Sequence, residues 1–131
     1  MTVIAQTMIW GLDVMPRPVP VAATVMWDEA NPLEVSFDFN VGLDEPVRWV
    51  FARDLLLDAI QKNKAGEADV QCEVRDDHMT MRLESPFGTA QFSIEASIVG
   101  QFLARTLGKV PRGEENYDLD TVIAQFFAEP A

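Results

Sequence analysis

The sequence predicts an α+β domain, and three observations carry that prediction. Apolar and polar residues alternate through seven separate stretches, three further segments switch to helical spacing, and the links between the alternating stretches are short and rich in turn formers. Four strands come first, then a helix, three strands and two helices. Strands joined by tight links run antiparallel, and helices packed on such a sheet define the class. At 131 residues the chain reads as a single domain, 1–131, large enough to bury its own core.

The first strand is read from the recurrence of Ile4, Met8, Trp10, Leu12 and Val14, and the second from Val19, Val21, Ala23, Val25 and Trp27. The prolines of "PRPVP" cannot donate to a ladder and separate the two. "LEVSFDFN" sets Leu33, Val35, Phe37 and Phe39 against Glu34, Ser36, Asp38 and Asn40, one face dry and one wet. Val47, Trp49 and Phe51 form the fourth strand. Val70, Cys72 and Val74, then Met79, Met81 and Leu83, then Ala90, Phe92 and Ile94 give the last three. "DEANP", "VGLDEP", "RDDH" and "ESPFG" read as turns; a two-residue turn in "RDDH" would pair Arg75 with His78, Val74 with Met79 and Cys72 with Met81.

Ala52, Leu55, Leu56, Ala59 and Ile60 place one apolar stripe on the first helix. Ile98, Val99, Phe102, Leu103 and Leu107 give the second a broader apolar face. Leu119, Val122, Ile123, Phe126 and Phe127 repeat the first spacing in the third, with Asp118 as its cap and Asp120 in its first turn. Leu57 falls off the first stripe on the side expected to face water, where it either packs beneath a loop or meets another subunit or partner.

Composition narrows the function. A formal charge of −11, with ten scattered basic residues, disfavours nucleic acid and anionic membranes as partners. No apolar run is long enough to span a bilayer, and "MTVIAQTMIW" lacks the basic start of a secretory signal, so a cytoplasmic location is expected. The single cysteine excludes an internal disulfide framework and a cysteine-based zinc site.

No catalytic set emerges. Cys72 is expected in the core and His78, the only imidazole, at a hairpin tip out of its reach. Asp76, Asp77 and His78 are adjacent, which is poor spacing for converging on a metal ion. Ser85, Ser93 and Ser97 lie in no hydrolase motif, and no phosphate-binding glycine loop occurs. The segment "PRGEENYDLD" reads as an acidic loop in which Glu114 and Glu115 are candidate partner contacts. In "WVFARDLL" a strand runs directly into a helix. Trp49, Phe51, Arg53 and Asp54 are read as a structural junction, with Asp54 at the positive end of the helix dipole and Arg53 reaching a carboxylate or carbonyls. No cofactor or metal is expected.

"VRWVFARDLL", "LESPFGTAQFSI", "FLARTLGKVPRGEENYDLD" and "PVPVAATVMWDEANPLEV" resemble, in order and spacing, the signature segments of the SsgA-like sporulation and cell-division proteins of actinobacteria. The resemblance covers nearly the whole chain. It implies a whirly-like fold with about seven antiparallel strands in two sheets and three helices. It also implies a non-enzymatic adaptor that positions septa by binding the tubulin-like division protein FtsZ and SsgA-like paralogues. A homo-oligomer, as a trimer, follows by the same resemblance. The alternative is a whirly-like module that binds single-stranded nucleic acid, which would need a positive groove with stacking aromatics. Trp10, Trp27 and Trp49 are expected in the core instead.

Overall fold

The computed structural model describes residues 2–12, 19–40, 47–67, 69–86 and 88–115. Among them the chain forms β1 (Thr2–Gly11), β2 (Val19–Asp28), β3 (Asn31–Asn40), β4 (Val47–Ala52), α1 (Arg53–Lys62), β5 (Lys64–Glu67), β6 (Val70–Arg75), β7 (His78–Ser85), β8 (Gly88–Glu95) and α2 (Ala96–Lys109). The expected strand at Val14, the turn over 41–46 and the third helix over 119–127 lie outside the described residues.

Two expectations are corrected. Among the described residues there are eight strands, and they form one sheet in the order β4-β3-β2-β1-β8-β7-β6-β5 instead of two sheets. Among the described residues the two four-stranded halves are joined as strands at Trp10–Ser93 and Gly11–Phe92, continued by the Leu12 N–H donating to the Gln91 carbonyl at 2.9 Å. That narrow seam lets the sheet curl until Phe39 of β3 stacks on Phe92 of β8 at 4.5 Å, closing the interior. The extra strand, β5, is the short stretch "KAGE", which has no apolar alternation to betray it. It is held by pairing with β6 and by Gly66, whose φ is +93° and whose missing Cβ would sit 2.3 Å from the Val70 carbonyl oxygen.

The hairpins follow the local chemistry. Asp76 and Asp77 both take positive φ, 52° and 66°, as a two-residue turn between twisted strands requires. Arg75–His78, Val74–Met79 and Cys72–Met81 pair as expected. At the β2–β3 turn the Ala30 N–H donates to the Asp28 carboxylate at 2.8 Å, and a β-bulge beside Trp27 lets its ring enter the core with Nε1 donating to the Pro32 carbonyl at 3.0 Å.

The core takes Val21, Ala23, Val25 and Trp27 of β2, Val35, Phe37 and Phe39 of β3, and Met79, Met81 and Leu83 of β7, all in the expected phase. β1 is inverted. Val3 and Ile9 point inward, while Ile4, Met8, Trp10 and Leu12 face out, so Trp10 is no core residue. α1 is also turned from its expected orientation. Ala52 is exposed and the buried face runs through Arg53, Leu56, Leu57 and Ala59. Leu57 is therefore core, 5% exposed, and not a water-facing residue. An arginine within the buried face conceals that rotation from a count of apolar residues.

Candidate interaction surfaces

The junction in "WVFARDLL" is assembled around a buried cation. β4 carries Trp49, half-buried against the core, and Phe51, which meets the Phe37 ring edge-on at 5.0 Å. The chain enters α1 at once, so Arg53 is the first helical residue and is fully buried. Its Nη1 donates to the Val110 carbonyl at 2.8 Å and to Thr106 Oγ1 at 3.4 Å. Nη2 donates to Glu115 Oε1 at 2.8 Å, and the guanidinium lies 5.6 Å from the centre of the Trp27 ring. Burying a charge is costly unless it is paired and hydrogen-bonded, and here the carboxylate, a carbonyl, a hydroxyl and an aromatic face share that task. Nε is the one buried side-chain nitrogen or oxygen, among the described residues, without a hydrogen-bond partner.

The partners of Arg53 come from the end of α2 and the segment after it, so the arginine ties residues 110–115 to the start of α1. Arg112 adds a second tie from the same segment, with Nε 3.1 Å from Asp54 and Nη2 donating to Asp58 at 2.8 Å. Glu115 also accepts from the Gly113 N–H at 2.9 Å. The hydrogen bond from Arg53, followed by backbone N–H groups, holds the Glu115 carboxyl below its ordinary value, and Arg112 does the same for Asp58. Asp54 thus lies in the first turn of α1, as expected, with Arg112 added as a partner. Of the two acidic loop residues, Glu115 is engaged inside the chain, while Glu114 is exposed with its N–H donating to the Pro111 carbonyl at 3.1 Å.

A second surface lies on the outer face of the sheet. Across the first half, directly opposed residues form rows: Ile4–Met26–Ser36–Val50, Gln6–Thr24–Asp38–Arg48, Met8–Ala22–Asn40 and Trp10–Pro20. Ile4, Met8, Trp10 and Val50 are 45–54% exposed. The β1–β2 panel from Ile4 to Trp10 and Pro20 to Met26 holds no ionisable side chain. On β3 and β4, Arg48 grips Asp38 with two hydrogen bonds of 2.7 and 2.8 Å. A shallow groove of about 300 Å³ opens beside it, lined by Met26, Ser36, Arg48 and Val50 among others. The signal for this surface was in the sequence: β1 is apolar in both phases, which a strand needs only when both of its faces are covered.

The outer face of the second half is of another kind. Its rows read Glu95–His78–Arg75, Ser93–Thr80–Glu73–Lys64 and Gln91–Arg82–Gln71, laced by Arg75–Glu73 at 2.8 Å and Arg82–Glu84 at 3.2 Å. His78 sits at the hairpin tip with Nδ1 3.0 Å from the Asp76 carbonyl oxygen. Cys72 is buried, and burial pushes its thiol up to about 12, so it is a poor nucleophile. Among the described residues no cluster of three His, Cys, Asp or Glu could hold a metal, and no helix is long and apolar enough to cross a membrane.

Comparison with known proteins places this arrangement. The family model described as "Streptomyces sporulation and cell division protein, SsgA" matches residues 21–115. The sporulation-specific cell division protein SsgB of Frankia casuarinae is 42% identical over 113 residues, covering 82% of this chain and 78% of its own. The SsgB of Thermobifida fusca is 37% identical, covering 82% of each chain. The crystal structure of an SsgA-like sporulation-specific cell division protein from Thermobifida fusca superposes with a TM-score of 0.82 at 32% identity, over 97% of this chain and 96% of that one. A structure of SsgB from Streptomyces coelicolor, whose mutations correlate to longitudinal cell division during sporulation, superposes with a TM-score of 0.81 at 33% identity, over 88% and 93%.

Proposed function

The chain belongs to the SsgA family of sporulation and cell division proteins, and on that premise we propose that it is a non-enzymatic, cytoplasmic adaptor in septum placement. It binds division proteins such as FtsZ and SsgA-like paralogues and concentrates where septa form. The observation that carries this reading is the uncharged apolar panel on the outer face of β1 and β2, a surface suited to protein contact and without groups for acid–base or nucleophilic chemistry. The exposed carboxylate of Glu114, on the loop tied to α1, is a second place for a partner to touch.

Exposed Trp10 favours a second reading, since an outward-facing indole can stack on a nucleic-acid base. Stacking platforms work with a positive groove, and the β1–β2 panel carries no Lys or Arg within a chain of net charge −11. The adaptor reading is therefore preferred. Labelled single strands should migrate unretarded at low salt.

The adaptor reading is tested by co-sedimentation with polymerised FtsZ from the same organism. Saturable pelleting of the protein is expected. A well-folded protein that stays in the supernatant across the titration overturns direct recruitment of FtsZ.

A further inference from the structure

We infer that Arg53 is a carboxylate receptor kept closed by the chain's own Glu115, and that an acidic side chain on a segment of a partner protein takes the place of Glu115. The guanidinium is held in position without that carboxylate. Nη1 donates to the Val110 carbonyl and to Thr106 Oγ1, and the Trp27 ring lies 5.6 Å from the guanidinium carbon. What remains is the edge formed by Nε and Nη2, the pair of donors that a carboxylate grips with two parallel hydrogen bonds. Glu115 uses half of it. Its Oε1 accepts from Nη2 at 2.8 Å, while its Oε2 is turned to the Gly113 N–H at 2.9 Å. Nε is left buried with no partner among the described residues. A buried donor without an acceptor is unfavourable, so a carboxylate that closes both bonds gains an interaction that Glu115 does not make.

The chain provides a joint at which the exchange can occur. Arg53 is sealed, with 1% of its side chain exposed, and Glu115, at 9%, is the member of the pair nearer to solvent. Just before it, Arg112 is fastened to α1 through Asp54 and Asp58. Gly113 follows at φ +87°, with open space where a Cβ would stand. Rotation at Gly113 carries Glu114 and Glu115 away while Val110 and Arg112 keep their contacts. The unfilled position is a donor, so the incoming group is an acceptor, the carboxylate of an Asp or Glu. Charge then gives the encounter its signature. A chain of net charge −11 repels an acidic segment at long range, and added salt screens that repulsion more than it screens the buried fork. Affinity should therefore rise with salt, opposite to a contact driven by charge attraction. The receptor rests on the adaptor reading for the existence of a partner, and adds the chemistry of the segment that the partner presents.

The test uses the full chain and, as probe, a dye-labelled peptide of residues 113–120, GEENYDLD, followed by fluorescence anisotropy at low and at near-physiological salt. Glu115→Ala vacates the fork and should bind the peptide roughly tenfold more tightly than the wild type, more so at the higher salt. The amide peptide GQQNYNLN should not bind. Arg53→Lys in the Glu115→Ala background should lose the gain, because an ammonium offers no fork. If Glu115→Ala proves too unstable for titration, formate decides, since this small carboxylate refills the fork. Sodium formate should then raise the urea midpoint of Glu115→Ala above its value in equal sodium chloride, by more than it does for the wild type. Equal peptide affinity for Glu115→Ala and the wild type, binding of the amide peptide, or a gain that survives Arg53→Lys overturns the inference. So does affinity that falls as salt is added, or a formate effect no larger than that on the wild type. Peptide binding without pelleting by FtsZ would overturn recruitment alone; pelleting without peptide binding would overturn the receptor alone.

Discussion

On their inner faces the two halves of the sheet offer the same thing. Val25, Val35, Phe37 and Phe39 on one side, and Met79, Met81, Leu83 and Ile94 on the other, are all 4% exposed or less. Their outer faces differ. β1 and β2 show an uncharged apolar panel, while β6, β7 and β8 show interleaved acids and bases. Water explains the second face completely, since a half-solvated antiparallel strand alternates apolar-in and polar-out. It does not explain the first. The difference teaches that burial inside one chain specifies the fold of both halves, whereas solvation accounts for the outer face of the second half and not for that of the first.

The comparison breaks most decisively if the interiors turn out unequal. Phe37→Ala, in the first half, should cost about 3–5 kcal/mol, and Met81→Ala, in the second, about 2–5 kcal/mol. Urea denaturation of both variants checks this. A cost below about 1 kcal/mol for either would mean that its half is loosely packed. Arg53→Ala probes the junction that ties α1 to the end of α2. Removing one partner of a buried ion pair costs about 3–5 kcal/mol, and the Trp27 contact is lost with it. Unchanged stability for Arg53→Ala would show that the 110–115 segment does not need its anchor.

The pairing also leaves a trace in acid. A carboxyl whose folded pKa lies below its unfolded value adds stability above the unfolded value, here 4.5 for Glu115, and loses it as pH falls through the folded value. Glu115→Gln should therefore be less stable than the wild type at neutral pH, with the gap closing as pH drops below about 4.5. A gap that stays constant down to strongly acidic pH would remove the charge from the explanation and leave only the hydrogen bonds.

How much of this was legible in the sequence depended on whether local chemistry settled the choice. "RDDH" announced a two-residue turn, and from it the whole β6–β7 register follows, Cys72 against Met81 included. β3 and β7 alternate apolar and polar residues, and β2 gathers its valines and Trp27 in one phase, so their buried faces were legible too. β1 has two. Its larger residues, Ile4, Met8 and Trp10, were the natural choice for the core, yet Ala5, Thr7 and Gly11 point in, beside Val3 and Ile9. Only the pairing with β2, Ile9 opposite Val21 and Val3 opposite Trp27, fixes that phase, and no local signal encodes it. The rotation of α1 was hidden for a related reason. Arg53, Leu56, Leu57 and Ile60 have helical spacing, but an arginine is discounted until its carboxylate, 62 residues on, is seen. The carboxylate partner of Arg53 was foreseen as a type, not as Glu115.

The smallest expected effect is also the sharpest control on the contrast between the outer faces. Arg82 stands near the centre of the second half's outer face, 3.2 Å from Glu84, with both side chains more than 40% exposed. An exposed pair of this kind gains little Coulomb energy in water and spends side-chain entropy to form. Arg82→Ala should then shift stability by no more than about 0.5 kcal/mol. The same variant should leave the mass in solution unchanged, since its face is read as solvated. A change in mass would place a protein contact on the charged half. The uncharged panel of β1 and β2 would then lose its claim to be the face that a protein partner covers, because neutrality would no longer distinguish a surface that makes contacts from one that is solvated.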